Sequence, residues 1–186
     1  MLRKKPLDLT QIVIKPYCEE TAVNQFCSGK KPIDRFLKNK AKKSGRRLEF
    51  KTFCAHIESS PLCIGYYALQ VGSDSVADLP EENKNNYLKN YTAFPAVNLS
   101  FLGVHEDHRR QGLGSHLLMD VFLRVAEISK HVGFYSLTLQ SLDDDSTAFY
   151  KSLKFTVYSE NLDPPKMLYP LEDILTLVKK SGLMLR

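Results

Sequence analysis

The sequence predicts an α+β fold: one domain built on a mixed central β-sheet with helices flanking it. Three observations predict it. The chain has 186 residues, of which 43% are hydrophobic and 25% charged, enough for one well-buried core and unlike a disordered or fibrous chain. Segments with strand character gather in the first half, and the second half alternates strand, helix, strand, helix, strand, a pattern that calls for a mixed sheet. No internal repeat or interdomain linker divides residues 1–186.

Gln11 to Tyr17 (QIVIKPY) holds a β-branched run closed by Pro16 and reads as the first strand. From about Pro32, Ile33, Phe36, Leu37 and Ala41 fall at the i, i+3, i+4, i+8 spacing of one apolar helix face. The remaining faces are lysine and arginine. Between Lys30 and Lys51 ten basic residues stand against two acidic ones, Asp34 and Glu49, a far denser excess than the whole-chain net charge of +5 suggests. Thr52 to Glu58 (TFCAHIE) and Cys63 to Val71 (CIGYYALQV) read as two strands of a hairpin turning at Ser59-Ser60-Pro61.

Asp74 to Phe94 is polar and carries Pro80, which predicts a loop with at most one short helix, placed where it can shape a substrate mouth. Ala96 to Val104 (AVNLSFLGV) is almost continuously apolar, as a strand buried on both faces requires. The clearest helix runs from Gly112 to Lys130, with Leu113, Leu117, Val121 and Val125 four residues apart and Leu118 and Phe122 beside them. Tyr135 to Leu142 is the next strand. Asp144 to Leu153 is a helix whose opening acids suit the positive end of the helix dipole. Phe155 to Ser159 and Lys166 to Tyr169 close the sheet around Pro164-Pro165, and an amphipathic helix from Leu171 to Lys180 lies in a C-terminal extension of about residues 171–186.

Nothing in the chain approaches the roughly 20 apolar residues of a membrane span, and the basic N-terminus is not followed by a signal-peptide core, so the expected location is the cytoplasm, away from any membrane. Cys18, Cys27, Cys54 and Cys63 contain no C-x-x-C pair and read as reduced structural thiols. His105 and His108 lack a carboxylate or thiol companion at metal-ligand spacing, so no metal is assigned.

The segment Arg109-Arg110-Gln111-Gly112-Leu113-Gly114 sits between a buried strand and the long helix. Backbone N–H groups converge on an anion at such a junction, and glycines admit close approach. On the residues alone, a plain strand-to-helix turn fits equally well. A Walker A loop is excluded by the missing G-x-x-x-x-G-K-[ST], and a dinucleotide fingerprint wants a small residue where Leu117 stands.

The same segment resembles motif A of the GNAT acetyltransferases, R/Q-x-x-G-x-G/A, met by Arg109, Gly112 and Gly114. The resemblance implies a GNAT fold with acetyl-CoA as cosubstrate, its diphosphate held at Arg109, Arg110, Gln111, Gly112, Leu113, Gly114 and Ser115. It further implies that the preceding strand, through Leu102, Gly103 and Val104, lines the pantetheine. Phe149-Tyr150 matches the family's aromatic-tyrosine pair. That match makes Tyr150 the catalytic residue that protonates the departing thiolate, whereas without it an aromatic on an apolar helix face reads as core.

The first half resembles a narrower group, the GNAT toxins of type II toxin–antitoxin modules that acetylate aminoacyl-tRNA. Phe26, Gly29, Ile33, Asp34, Phe36 and Leu37 match its opening helix, and Thr52-Phe53 with Gly65, Tyr66, Tyr67 and Leu69 match its strands. This implies that Lys38, Lys42, Lys43, Arg46 and Arg47 contact the tRNA backbone, since cations along one face neutralise phosphates. It also implies a ribbon-helix-helix antitoxin as partner; the C-terminal helix beyond Pro170 extends past the matched residues and is open to packing on the domain, supporting a homodimer or contacting that antitoxin. The alternative acceptors are a small-molecule amine or a protein amine. Two positions depart from the toxin group: Phe101 stands where a basic residue is common, and Lys154 where glycine commonly precedes the aromatic.

Overall fold

A computed structural model describes residues 6–182, apart from Ser59, Pro80, 82–83, 85–89 and 160–161. The strands are β1 (Ile12–Pro16), β2 (Lys51–Ile57), β3 (Gly65–Ser75), β4 (Ala93–Val104), β5 (Ser136–Gln140), β6 (Thr156–Ser159) and β7 (Lys166–Pro170). They form one sheet in the order β1-β2-β3-β4-β5-β7-β6. Pairing is antiparallel for β1 with β2, β2 with β3, β5 with β7 and β6 with β7, and parallel for β4 with β5. The mixed sheet is the one the strand and helix order predicts. Parallel neighbours need a long crossover, and α3 (Leu113–Ser129) supplies it.

The chain forms two compact units. The first comprises Met1–Leu69 and Phe101–Val121, the second Gln70–Ser100 and Phe122–Arg186. In the first unit the core gathers Val23, Phe26, Phe36, Leu37, Ala41, Cys54 and Tyr66, with Phe50 and Phe101 packed against it. The basic segment is helical as its periodicity predicts, but in three pieces: α1 (Lys31–Arg35), a π-helical turn (Phe36–Lys40) and α2 (Ala41–Arg46). The Ala41 N–H donates to the Phe36 carbonyl, five residues back. In a regular α-helix those two positions diverge by about 140°; the wider turn brings both into the core and leaves the lysines outside.

Phe101 belongs to that core. Its ring stacks on Phe36 with centroids 3.8 Å apart and meets Phe50 edge-on. A basic side chain here would have to desolvate its charge against the Phe36 and Phe50 rings, which favours an apolar residue at the position.

The second unit is built on Val76, Leu79, Phe94, Ala96, Tyr158 and Leu168. One prediction needs correction there. The loop expected to begin at Asp74 starts later, because β3 runs on through Ser75. The Asp74 carboxylate accepts hydrogen bonds from Tyr158 Oη and Lys166 Nζ, both at 2.6 Å. These partners lie 84 and 92 residues downstream, so local polarity reads as loop where distant partners make strand. Burial, together with Asp74, pushes the Tyr158 phenol well above its ordinary range. The predicted loop also ends earlier, because β4 begins at Ala93, and its short helical piece is the 3-10 turn Val76–Asp78; Pro80, 82–83 and 85–89 of it lie outside the described residues, as does Ser59 of the predicted hairpin turn. α5 (Leu171–Ser181) seats Ile174 fully in the core, and among the described residues no helix is long and apolar enough to cross a membrane.

Candidate active site

In the first unit, β4 ends at Val104 and a short 3-10 turn, Glu106–His108, leads to the glycine-bearing loop. Two residues of that loop have left-handed backbones, Arg110 with φ +56° and Gly112 with φ +83°. A side chain at Gly112 is disfavoured twice: it is strained by the conformation and crowded by Leu9, whose Cδ1 lies 3.2 Å from where a Cβ would stand. Gln111 locks the turn, its Oε1 accepting from the Leu7 N–H at 2.8 Å and its Nε2 donating to the Asp107 carbonyl at 3.1 Å. Leu113 and Leu117, both buried, fix the start of α3. Gly114 and Ser115 occupy its first turn, where backbone N–H groups have no acceptor within the helix and the dipole is positive. The chemistry of this cradle suits a diphosphate.

Among the strand residues expected to line the pantetheine, Leu102 and Val104 are half-buried and Gly103 is buried. A Cβ on Gly103 would collide with Ile33 Cγ2 and meet Tyr66 Cε1 at 3.0 Å. Tyr66 in turn donates from its hydroxyl to the Ile33 carbonyl at 2.7 Å. The smallness of Gly103 thus serves the packing of α1 on the strand.

Lys38, Lys42, Lys43, Arg46 and Arg47 are all exposed. A residue that sequence reasoning missed sits among them. The Glu19 carboxylate pairs with Lys42 at 3.1 Å and Arg46 at 2.6 Å, and these hydrogen bonds hold it below the usual carboxylate range. Arg47 lies 3.7 Å from Glu49. No local signal marks Glu19, which reaches the helix from 27 residues before Arg46.

His105, at the end of β4 beside the loop, is engaged at both ring nitrogens. Nδ1 accepts from the Asp107 N–H at 3.1 Å, which leaves Nε2 to donate to the Gln25 carbonyl at 3.2 Å. That tautomer has no free lone pair. Among the described residues no group of three or more His, Cys, Asp or Glu side chains is arranged to hold a metal ion, and the four cysteines are free thiols.

Tyr150 lies in the second unit, on α4 (Asp144–Ser152). The helix opens with a reciprocal cap: the Asp143 carboxylate accepts from the Ser146 N–H at 2.9 Å, while Ser146 Oγ accepts from the Asp143 N–H at 3.0 Å. It closes with Phe155 N–H donating to the Tyr150 carbonyl and Lys154 N–H to the Lys151 carbonyl, the paired bonds of a Schellman end. Lys154 occupies the left-handed position of that motif at φ +71°. The backbone that glycine favours is therefore kept although the glycine is not. The Tyr150 ring is buried between Phe149 and Phe155, at centroid distances of 5.2 and 5.4 Å. Burial holds its phenol above the ordinary value, so it carries its proton at neutral pH.

Comparison with known proteins agrees with this architecture. A "tRNA-acetylating toxin" of Mycobacterium tuberculosis is 27% identical over 84% of this chain and 90% of its own length. A "Probable toxin TacT" of Sinorhizobium fredii is 29% identical over 86% of each. A solved structure of AtaT complexed with acetyl-methionyl-tRNAfMet shares the fold with a TM-score of 0.80, at 22% identity over 89% of this chain and 98% of that one. The description "Acetyltransferase (GNAT) domain" matches residues 61–157, just over half the sequence and inclusive of the glycine-bearing loop and Tyr150, and the chain belongs to the GNAT acetyltransferase family.

Proposed function

We propose that this acetyltransferase moves the acetyl group of acetyl-CoA onto the amino group of aminoacyl-tRNA, as the toxin of a toxin–antitoxin pair. The observation that carries the reading is the likeness, across more than four-fifths of the chain, to a protein named for acetylating tRNA. The exposed basic face of Lys38, Lys42, Lys43, Arg46 and Arg47 supports it, because phosphate neutralisation with counterion release is what an RNA substrate needs.

Bound acetyl-CoA would supply an activated thioester. The amides of Gly112, Leu113, Gly114 and Ser115 would hold its diphosphate with the Arg110 charge nearby, and the β4 backbone at Leu102, Gly103 and Val104 would run beside the pantetheine. Tyr150 would keep its proton until a thiolate develops and donate it there, since a buried neutral phenol stabilises that charge without gaining one beforehand. An α-amino group titrates near pH 8, so enough is neutral in the cell to attack without a strong base, in keeping with a His105 ring already engaged. The same reading makes the chain one cytoplasmic domain with a ribbon-helix-helix antitoxin as partner and the C-terminal helix as a surface for it or for a second copy.

Incubation with labelled acetyl-CoA and total charged tRNA tests the proposal: label is expected on the RNA-bound amino acid. Label appearing instead in small amines or protein amines would replace the acceptor, and absence of any coenzyme A binding by calorimetry would remove the cosubstrate.

A further inference from the structure

Motif A opens with an arginine, and the natural assignment of its charge is to the diphosphate. The packing around it points elsewhere. Ser28 is only 3% exposed, so its polar groups need partners inside the protein. Asp34 takes two of them: its Oδ1 accepts from the Ser28 N–H at 2.8 Å and from the Ser28 hydroxyl at 2.6 Å. The third, the Ser28 carbonyl, accepts from Arg109 Nη2.

The next residue, Gly29, has φ +67°, and a Cβ there would lie 3.4 Å from Arg109 Nη2 and 4.0 Å from Nη1. The guanidinium fork, with Glu106 Oε2 at 3.9 Å from the same point, therefore borders the space that a side chain at Gly29 would enter. Two further bonds run alongside. The Glu106 N–H donates to the Cys27 carbonyl at 2.8 Å, and His105 Nε2 donates to the Gln25 carbonyl at 3.2 Å. Residues 25–29 are thereby laced to residues 105–109 at three points. Lys30 then caps α1, the first turn of the basic helix.

We propose that Arg109 is a positioning residue, a strut fastening the anion-binding loop to the Ser28-Gly29 turn that launches the basic helix, and that it is not a ligand of the diphosphate. The proposal rests on the reading of that loop as the coenzyme site and adds a link within the first unit from the donor side to the RNA side. Arg109 and Arg110 are both exposed, but the Arg109 fork is bonded to the Ser28 carbonyl, so the charge near the diphosphate then falls to Arg110. Asp34 and Gly29 gain a physical reason for their place in the toxin-like pattern: one holds the turn from behind, and the other leaves room for the fork.

Two measurements decide it. In hydrogen exchange of the chain without ligand, Arg109→Met should accelerate the Ser28 and Glu106 amides by about tenfold, the loss of one charge-assisted bond, while β5 and β7 amides stay unchanged. Arg109→Lys, which keeps a donor, should restore part of the protection; unchanged exchange at both amides overturns the strut. In kinetics, kcat/KM should fall by a similar factor, roughly tenfold, with acetyl-CoA and with S-acetylpantetheine, which has no diphosphate. A loss confined to acetyl-CoA makes Arg109 a diphosphate ligand and overturns the proposal. Should Arg109→Met fail to fold, Arg109→Lys and Gly29→Ala carry both comparisons. Failure of the wild-type chain to bind coenzyme A would sink the proposed function, yet the exchange result would still decide the strut.

Discussion

The chain enters α3 and leaves α4 through left-handed backbone, and the two junctions handle it differently. At the entry to α3, Gly112 takes φ +83° with Leu9 Cδ1 only 3.2 Å from where a Cβ would stand. At the exit from α4, Lys154 takes φ +71° with an ordinary side chain that is exposed to solvent. A left-handed conformation alone costs a non-glycine residue about 1–2 kcal/mol, which a folded domain tolerates. Left-handed conformation combined with a close neighbour selects glycine more strongly, and under the proposed function a diphosphate approaching the backbone adds a third reason. Under the proposed function, the difference separates a junction that must stay open from one that has only to reverse the chain and present Tyr150.

The largest effect should come from what the second junction presents. Tyr150→Phe is expected to lower kcat by about a hundredfold or more, the usual reach of a positioned acid, with acetyl-CoA affinity unchanged by calorimetry. Its pH behaviour sharpens the point. Burial penalises the phenolate and moves the phenol above its ordinary 10.0, so the acid form persists as pH rises. The kcat profile should show no loss of an acid at or below pH 10.0, and the stabilisation from burying the neutral phenol should be complete below that pH and decline above it.

Next in size, Gly112→Ala should weaken acetyl-CoA binding by at least about tenfold, the equivalent of left-handed strain alone. Adding Leu9→Ala should recover the share due to crowding and leave the share due to conformation. Full recovery would mean that φ is immaterial and would break the comparison. On the open surface, where neither packing nor backbone constrains the side chains, Glu19→Gln should raise RNA affinity by only about twofold to threefold at low salt, since exposed ion pairs are weak and screened. Lysine or arginine loss at Lys42 and Arg46 should act in the opposite direction, and a titration of RNA binding against salt reads both. Smallest is Lys154→Gly, expected to add about 1 kcal/mol of stability and raise the Tm by roughly 2–4 °C with kcat unaltered. A fall in kcat would show that Lys154 does more than close a helix.

Much of this was legible in the residue order. The stripe of Leu113, Leu117, Val121 and Val125 is buried on α3 as its spacing predicts, because amphipathic period is a local property of the backbone. Gly112 declared the turn by its residue type. Other features escaped for an equally physical reason. The π-helical turn at Phe36–Lys40 follows from fitting Phe36 and Ala41 to one core. Asp74, Glu19 and Asp34 look like any surface acids until Tyr158, Lys166, Arg46 and Ser28 are brought beside them. Arg109 was readable as a charge near an anion, but the direction of its side chain was not.

By itself the sequence determined the elements, the family and the candidate chemistry, since periodicity, turn residues and a short motif depend on neighbours within a few positions. Only the tertiary structure decided which charges are spent on partners and which remain available, why Phe101 is apolar, and that Lys154 keeps a glycine's conformation. Those outcomes depend on packing and hydrogen bonding between residues tens of positions apart, where desolvation and partner geometry set the energy and no local pattern records them.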